Sequence, residues 1–383
     1  MLFKDFVQIN PKVDLEKGET YPYVGMADVN PSRGYVTNSE TREYKNSRSR
    51  FKEGDTLFAR ITPCLENGKI TRFKSDGIKK GFGSTEFFVF RAKEEVSDPN
   101  YVYYLSRSPL IRKTAEKSMA GASGRQRADI SAIEEVEITP PDLPTQQKIA
   151  YILSAFDDLI ENNTRRIAIL EEMARRIYRE WFVHFRYPGH EEDRLVDSGT
   201  ELGEIPEGWE VKQVDNIVNR LSKGNIYRKK NTDDEGDIII VDQSTDEYLG
   251  FHDNEPDFSA SSDEPFIIFG DHTCKMQLLL RPFSLGPNVV PFIAEDEELS
   301  NYYLYYLLEP IIESREYKRH WTTFKVKKVA VASIELAKRF EEKVRPLIEQ
   351  KENLKKQINK LKETRDLLLP KLISGKIDVE NWH

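Results

Sequence analysis

The chain of 383 residues is poor in cysteine and histidine and lacks any long hydrophobic run. Its two cysteines, Cys64 and Cys274, are too few for a disulfide framework or a four-thiolate zinc site. The six histidines are scattered, without the spacing of metal ligands. Apolar runs such as 238–241 fall far short of the roughly 20 residues that cross a bilayer. Because no signal segment opens the chain, we expect a cytoplasmic protein without membrane contact.

Sequence motifs of common enzymes are also absent. The chain has no glycine-rich phosphate loop with its lysine, no Asn-Pro-Pro-aromatic or Asp-Pro-Pro-Tyr run, no helicase signature and no Gly-x-Ser-x-Gly elbow. We therefore expect no catalytic residue, no metal ion and no cofactor on this chain. A nuclease stays open as an alternative, because sites of paired acids with a lysine have loose spacing. No such group follows a predicted strand convincingly.

The net charge of −8 argues against a surface that binds polyanions everywhere. The charge is unevenly distributed, however. Residues 1–143 carry 23 basic and 21 acidic side chains, whereas residues 211–330 carry 14 and 21. A surface that binds nucleic acid must therefore be local.

An internal duplication organises the chain. Two segments of about 40 residues, 145–185 and 334–373, carry apolar residues every three or four positions, which predicts long helices. Shifted by 191 positions they superpose, so that Asn162 aligns with Asn353 and Leu170 with Leu361. Ahead of each helix lies a tyrosine-rich segment, aligned at a shift of 201. Helices of this length are typical of coiled-coil seams, so we expect the two to pair antiparallel. Separate amphipathic helices, each packed on its own domain, are the alternative.

The repeat predicts an α+β fold of two mixed α/β domains, each followed by a long helix, with pseudo-twofold symmetry. Short β-like runs punctuated by glycine, proline and asparagine predict a curled, mostly antiparallel sheet in each domain. The predicted segments are the first domain at 1–143, its helix at 144–186, an acidic linker at 187–204, the second domain at 205–332 and its helix at 333–377. Pro346 and Pro370 predict kinks or breaks in the second helix.

Basic residues cluster in both domains and suggest contacts to DNA. The loop 121–127 offers two arginines and an amide, the groups that read guanine and adenine in the major groove, and lysines nearby would hold phosphates. We take the segment 320–325 as its counterpart in the second domain. A merely solvated face is the alternative for each cluster. The predicted DNA-binding residues are Arg60, Lys69, Arg72, Lys74, Lys79, Lys80, Arg125, Gln126, Arg127, Lys223, Arg228, Lys229, Lys230, Trp321, Thr322, Thr323, Lys325 and Lys327.

With these features the chain resembles the specificity subunits of type I restriction-modification systems. The resemblance rests on the proline-rich entry to the first helix at 138–149, on the helix segments 153–163 and 171–185, on the Ile-Pro-Glu-Gly-Trp-Glu run at 205–210 and on 365–377. It spans the whole chain in order. The density of acidic residues around 233–247 departs from what a DNA-binding domain suggests.

The resemblance implies a non-catalytic adaptor that reads a split target in double-stranded DNA. Each domain would read one half, and the paired helices would set the distance between the halves. Two adenine-methyltransferase subunits and motor-nuclease restriction subunits would be its partners. S-adenosylmethionine, ATP and magnesium would be bound by those partners. The alternatives from other classes are a stand-alone or fused nuclease or methyltransferase component, and a coiled-coil scaffold without a DNA role.

Overall fold

A computed structural model describes residues 1–37, 40–46, 49–122, 124–222, 224–312 and 320–379. The chain divides into two compact units. The first comprises Met1–Arg165 with Leu354–His383, and the second comprises Arg166–Asn353. Each unit therefore holds one domain together with a segment of each long helix.

The bounds of the regular elements are as follows. The helices are α1 Phe3–Phe6, α2 Pro99–Arg107, α3 Pro109–Lys117, α4 Ile130–Glu134, α5 Leu143–Tyr178, α6 Asn301–Leu308, α7 Trp321–Phe324 and α8 Ile334–Ile373. The strands of the first domain are β1 Val7–Ile9, β2 Thr20–Val24, β3 Tyr35–Thr37, β4 Glu40–Glu43, β5 Arg50–Lys52, β6 Thr56–Ala59, β7 Ile70–Lys74, β8 Lys80–Gly83 and β9 Phe87–Ala92. The later strands are β10 Leu195–Asp197, β11 Glu204–Pro206, β12 Glu210–Gln213, β13 Val218–Arg220, β14 Ile238–Val241, β15 Gly250–His252, β16 Phe266–Gly270, β17 Met276–Leu279, β18 Phe283–Leu285, β19 Val289–Ala294 and β20 Lys328–Val331.

The two domains share a common core of strand pairings, with one strand fewer in each sheet of the second domain. In the first domain the sheets have the orders β1-β9-β6-β7-β3 and β4-β2-β8-β5. In the second domain the orders are β13-β19-β16-β17 and β15-β14-β18. The central strand of each smaller sheet pairs antiparallel on one side and parallel on the other, β2 with β4 and β8, and β14 with β15 and β18. The predicted α+β fold of two mixed domains with long helices is confirmed.

Each domain closes on itself directly before its long helix begins. In the first unit the amide of Phe3 donates to the carbonyl of Val136, and in the second unit β12 pairs with β20. The first helix then begins at Asp142, whose carboxylate accepts from the backbone N–H of Thr145 as an N-cap. Ser333 takes the corresponding place before α8 and accepts from the N–H of Leu336. The conserved shift of 191 positions thus relates the two caps.

The buried Gln146 anchors the first helix to its domain. Its side-chain amide donates to the carbonyls of Val96 and Pro141, and its carbonyl accepts from the N–H of Asp98. Asp98 in turn caps α2 by accepting from the next two backbone amides. Gln146 therefore has a structural role, since its side chain joins the start of α2 to the start of α5.

The long helices run antiparallel within each unit. In the first unit Asn163 contacts Gln357 and Asp157 contacts Arg365, while in the second unit Glu171 contacts Lys351. Residues later in α5 thus contact residues earlier in α8, as expected for antiparallel helices. Helix α8 is continuous through both Pro346 and Pro370, so of the predicted kinks or breaks the breaks are wrong. Helix α5 continues as a π-helix, Arg179–Val183.

The segment 187–204 contains regular structure of its own. Strand β10 pairs with β11, and the rings of Tyr187 and Trp209 stack with centroids 6.1 Å apart. Tyr187 belongs to the core of the second unit, where it is 6% exposed.

A buried polar network joins the first domain to both helices. The Arg365 guanidinium on α8 bonds the Asp157 carboxylate on α5 at 2.6 Å, and both side chains are almost fully buried. The phenol of Tyr104 on α2 donates to the other carboxylate oxygen at 2.7 Å. Burial, and then the nearby carboxylate, raise the pKa of Tyr104, so the phenol stays a donor. Gly34 packs closely here, since a Cβ would lie 2.9 Å from an Asp157 oxygen.

The equivalent positions of the second unit are apolar. At the shift of 191, Asp157 corresponds to Ile348 and Arg365 to Ala174, and both belong to the buried aromatic cluster of that unit. At these equivalent positions, one unit therefore has a buried ion pair and the other has apolar packing.

We expect Asp157→Ala to lower the free energy of unfolding of the first unit by about 3–5 kcal/mol, because the buried Arg365 loses its buried partner and keeps only its contact with the exposed Asp366. The double variant Asp157→Ile with Arg365→Ala copies the apolar pair of the second unit and should cost less than the single change. Denaturant unfolding, with hydrogen exchange to locate the loss, measures both. If the double variant lost as much stability as the sum of its two single changes, the proposed role of the ion pair would be contradicted.

Candidate nucleic-acid interface

Three strand ends meet at one edge of the larger sheet in the first domain. Strand β6 runs antiparallel to β7 and β9, with Ala59 opposite Phe87 and Phe58 opposite Ile70. The residue after β6 and the residues before β7 and β9 therefore lie side by side. These residues are Arg60, Lys69 and Glu86, and we call their edge the reading edge.

The loop 121–127 is fastened to the reading edge by its backbone. The N–H of Thr62 donates to the carbonyl of Gln126, and the Gln126 N–H donates to the Thr62 hydroxyl, both at 3.0 Å. Gly121 and Gly124 adopt positive φ angles of 131° and 79°, which residues with a side chain rarely accept. Arg125 and Arg127 are exposed, and Gln126 is half-buried.

Glu86 gathers two of the predicted arginines. Its carboxylate accepts from Arg127 Nη2 at 2.7 Å and Nε at about 3 Å, and from Arg60 Nε at 3.2 Å. These hydrogen bonds, first that of Arg127, hold the pKa of Glu86 below its usual range, so the carboxylate is charged. The cluster of two guanidinium groups and one carboxylate is therefore net positive and already ordered.

Of the predicted lysines of this domain, Lys69 lies at the reading edge and the other three lie away from it. Lys69 is at the reading edge, but its ammonium donates to the carbonyl of Met26 at 2.6 Å. Lys74 ends β7 and Lys80 begins β8, at the opposite end from Arg60. Lys79 bonds Glu53 and the carbonyl of Ser75. The structure thus separates these three lysines from the reading edge by the length of a strand.

Arg72 is a correction to the predicted set. It is 0% exposed, and its guanidinium lies 3.9 Å from the Tyr35 ring centroid and donates to the carbonyl of Gly34. Arg72 also donates to Asn100 on α2. It stabilises the domain interior because it points inward from β7, so its assignment to the DNA-facing set is wrong.

The second domain has a reading edge with the same backbone hydrogen bonds and different side chains. The N–H of Asp271 donates to the carbonyl of Asn288 at 2.9 Å, as that of Arg60 does to Glu86 at 3.0 Å. The N–H of Gly270 donates to the carbonyl of Lys275, as that of Ala59 does to Lys69. Asp271, Lys275 and Asn288 therefore correspond to Arg60, Lys69 and Glu86. Burial lowers the pKa of Lys275.

The same hydrogen bonds correct the predicted counterpart of the loop 121–127. The N–H of His320 donates to the carbonyl of Asp271, just as that of Ala128 donates to Arg60. Residues 313–319, which precede His320 in the sequence, lie outside the described residues. The segment that begins at Trp321 instead matches α4, which follows the loop.

Trp321 is the second correction, because it is 6% exposed and packs against Phe269 and Phe292. Thr322 and Thr323 are exposed on α7. Lys325 bonds Asp215, and Lys327 donates to the carbonyl of Ile311. Both lysines thus lie beside the segment 214–216, which corresponds to α1.

The basic turn near the start of the second domain is exposed. Arg228 and Lys230 project into solvent, and Lys229 donates to the carbonyl of Leu249 at 3.0 Å. Lys223 lies outside the described residues.

Sequence reasoning missed Glu86, Asp271, Lys275 and Asn288. Glu86 is 26 residues from Arg60 and 41 from Arg127 along the chain, so only the strand register brings the three together. Two acidic residues were passed over because the search was for basic clusters. A strand-by-strand alignment of the two domains is the signal that finds all four.

No helix in the described ranges is long and apolar enough to cross a membrane. Within those same ranges, no group of three or more His, Cys, Asp or Glu side chains is placed to hold a metal ion.

Several known proteins are similar to this chain in sequence and in fold. Residues 4–172 match the family described as "Type I restriction modification DNA specificity domain". The MjaIX type I restriction enzyme specificity subunit of Methanocaldococcus jannaschii is 30% identical over 303 residues, which cover 73% of this chain and 69% of that protein. A putative MjaX specificity subunit from the same organism is 24% identical, over 94% of this chain and 88% of its own length.

The crystal structure of a type I restriction-modification S subunit from M. genitalium has the same fold. It matches with a TM-score of 0.57 at 18% identity, over 97% of this chain and 95% of its own. The fold, the family match and the extended similarity to the MjaIX subunit agree, and this chain belongs to the DNA-recognising specificity subunits of type I restriction-modification systems.

Proposed function

We propose that the chain is a non-catalytic reader of a bipartite DNA target, in which each domain recognises one half through its reading edge. The observation that carries this proposal is the repeated edge itself. The same backbone hydrogen bonds hold Arg60, Lys69 and Glu86 in one domain and other side chains in the other. Two domains with the same backbone arrangement but different side chains at the reading edge are suited to recognise two half-sites of different sequence.

The charges of the exposed side chains divide into two kinds of contact. Arg125 and Arg127 beside the reading edge have the planar guanidinium that forks onto guanine. Lys74, Lys80 and Lys230 are exposed away from it and suit phosphates, which carry no sequence information. The acidity of the second domain does not oppose this division, because only local potential matters at a contact.

Partner subunits would supply the chemistry. We propose two adenine-methyltransferase subunits and motor-nuclease restriction subunits, with S-adenosylmethionine, ATP and magnesium on those partners. Exposed apolar side chains on α5 support docking there. In the first unit Tyr151 and Leu159 are 79% and 50% exposed, and in the second unit Ile169 and Met173 are 59% and 44% exposed. Large apolar side chains in water at helical spacing are typical of an interaction surface.

Division between the half-sites is the first test. Arg127→Ala should relax the base preference at one position of one half-site by about 1–3 kcal/mol, because a guanine fork is lost. Lys275→Ala or Asn288→Ala should affect the other half-site alone. Lys80→Ala should weaken binding to every sequence about equally and flatten its salt dependence.

The measurement is competition binding of the assembled methyltransferase complex on duplexes altered in one half-site at a time. First-domain variants that relax both half-sites alike would exclude the two-reader arrangement.

Helix length is the second test. Inserting about seven residues in register near Asn162 and near Asn353 adds about 10 Å to the helix pair, at 1.5 Å per residue. The unspecified spacer of the target should then lengthen by about three base pairs, at 3.4 Å each. Sequencing of methylated adenines in cells that carry the variant measures the spacer, and an unchanged spacer would contradict the ruler role.

Catalytic dependence is the third test. The purified chain with S-adenosylmethionine should transfer no methyl group to DNA and, with magnesium, should cut none. Activity should appear on addition of the methyltransferase subunit from the same host. Methyl transfer or cleavage by the purified chain alone would favour the enzyme alternative.

A further inference from the structure

The carboxylate of Glu86 lies between two arginines at the reading edge. Its side chain is only 19% exposed, whereas those of Arg127 and Arg60 are 45% and 33% exposed. The acid is thus the inner member of the cluster, and the two guanidinium groups are the outer members. From this order a ligand would meet the arginines before the carboxylate.

The contacts leave one edge of Arg127 for a ligand. A guanidinium has five N–H groups, one on Nε and two on each terminal nitrogen. Glu86 receives the Nε hydrogen and one Nη2 hydrogen of Arg127. No residue in the described ranges accepts from Nη1. The Nη1–Nη2 edge therefore keeps the parallel pair of donors that matches the O6 and N7 acceptors of guanine.

Arg60 is held by the same carboxylate and by an aromatic ring. Its Nε donates to Glu86, and its guanidinium carbon lies 5.4 Å from the centroid of Phe88. Backbone bonds fix the main chain on both sides, since Ala128 donates to the Arg60 carbonyl at 2.8 Å. Each arginine is thus ordered before any DNA arrives, which lowers the entropic cost of ordering it on binding.

We propose that Glu86 is a positioning residue for base recognition, which aims the outer edges of Arg127 and Arg60 at the bases of the first half-site. This inference rests on the proposed function of the reading edge. Glu86 does not itself read a base, because both of its oxygens already accept hydrogen bonds from arginine. The negative charge of Glu86 disfavours contact with phosphates. Glu86 therefore lowers the affinity for DNA of any sequence while it raises the selectivity for the target bases.

Asn288 holds the equivalent position in the second domain, where the neighbouring position is Asp271 instead of arginine. Within the described residues, the cluster of one carboxylate and two arginines therefore belongs to the first domain.

The test uses the full chain with its methyltransferase partner and a pool of random-sequence duplexes, sequenced after selection. Glu86→Gln should relax preference at one or two base pairs of one half-site by about 5- to 100-fold, the ratio that one bidentate contact provides. Its affinity for unselected random duplex should stay equal or rise, because a negative charge near phosphates is removed. A variant whose reading edge is misfolded would instead lose both the base preference and the affinity for random duplex.

Two further variants make the result decisive. Glu135→Gln removes an exposed carboxylate that pairs with Lys4, outside the predicted DNA-binding set, and should leave the base preference unchanged. In an Arg127→Ala background, adding Glu86→Gln should change nothing further at the base pair that Arg127 reads, because the arginine that it positions is gone.

Three outcomes would overturn the inference. If Arg127→Ala relaxes the preference and Glu86→Gln does not, Glu86 has no positioning role although the reading edge stands. If Glu86→Gln lowers affinity for selected and random duplexes alike, its role is structural. If Arg60→Ala, Arg127→Ala and Glu86→Gln all leave the preference intact, the proposed reading edge itself is wrong.

Discussion

The buried ion pair between Asp157 and Arg365 sets the geometry of the first unit. Removing both charges from water costs several kcal/mol per ion, which is offset only when their geometry and remaining hydrogen bonds are well satisfied. The pair lies 2.6 Å apart on the two long helices, and Tyr104 of α2 donates to the same carboxylate. This network therefore fixes the register of the two helix segments and the position of α2 against them.

The second unit has apolar residues where the first unit has its buried ion pair. Ala174 and Ile348 replace the ions, and Tyr178, Phe182 and Phe340 pack around them with ring centroids 5–6 Å apart. Apolar surfaces stabilise in proportion to the area buried and tolerate small shifts, whereas a buried ion pair accepts one partner position. Register is therefore set most strictly in the first unit, and the repeat has diverged in the kind of interaction while keeping its positions.

The helices and the fold class were predictable because periodicity and the shift of 191 positions survive in apolar residues, which burial constrains. The interface was less predictable. Between the two domains, Arg60 and Asp271 differ by 211 positions, Glu86 and Asn288 by 202, and Ala128 and His320 by 192. No single offset aligns them, because loop lengths differ. Trp321 and Arg72 were misassigned for a second reason, since residue type alone does not say which side of a strand or helix faces inward.

The reading edge separates what holds the fold from what contacts the ligand. Main-chain hydrogen bonds between strand ends position residues 60, 69 and 86 in one domain and 271, 275 and 288 in the other. Because those bonds do not involve the side chains, Arg60 can correspond to Asp271 without loss of the scaffold. Buried residues such as Arg72 have no such freedom, since their side chains complete the interior. Side chains at the strand ends can therefore change with the least loss of stability. At these positions the two domains of this chain differ in charge.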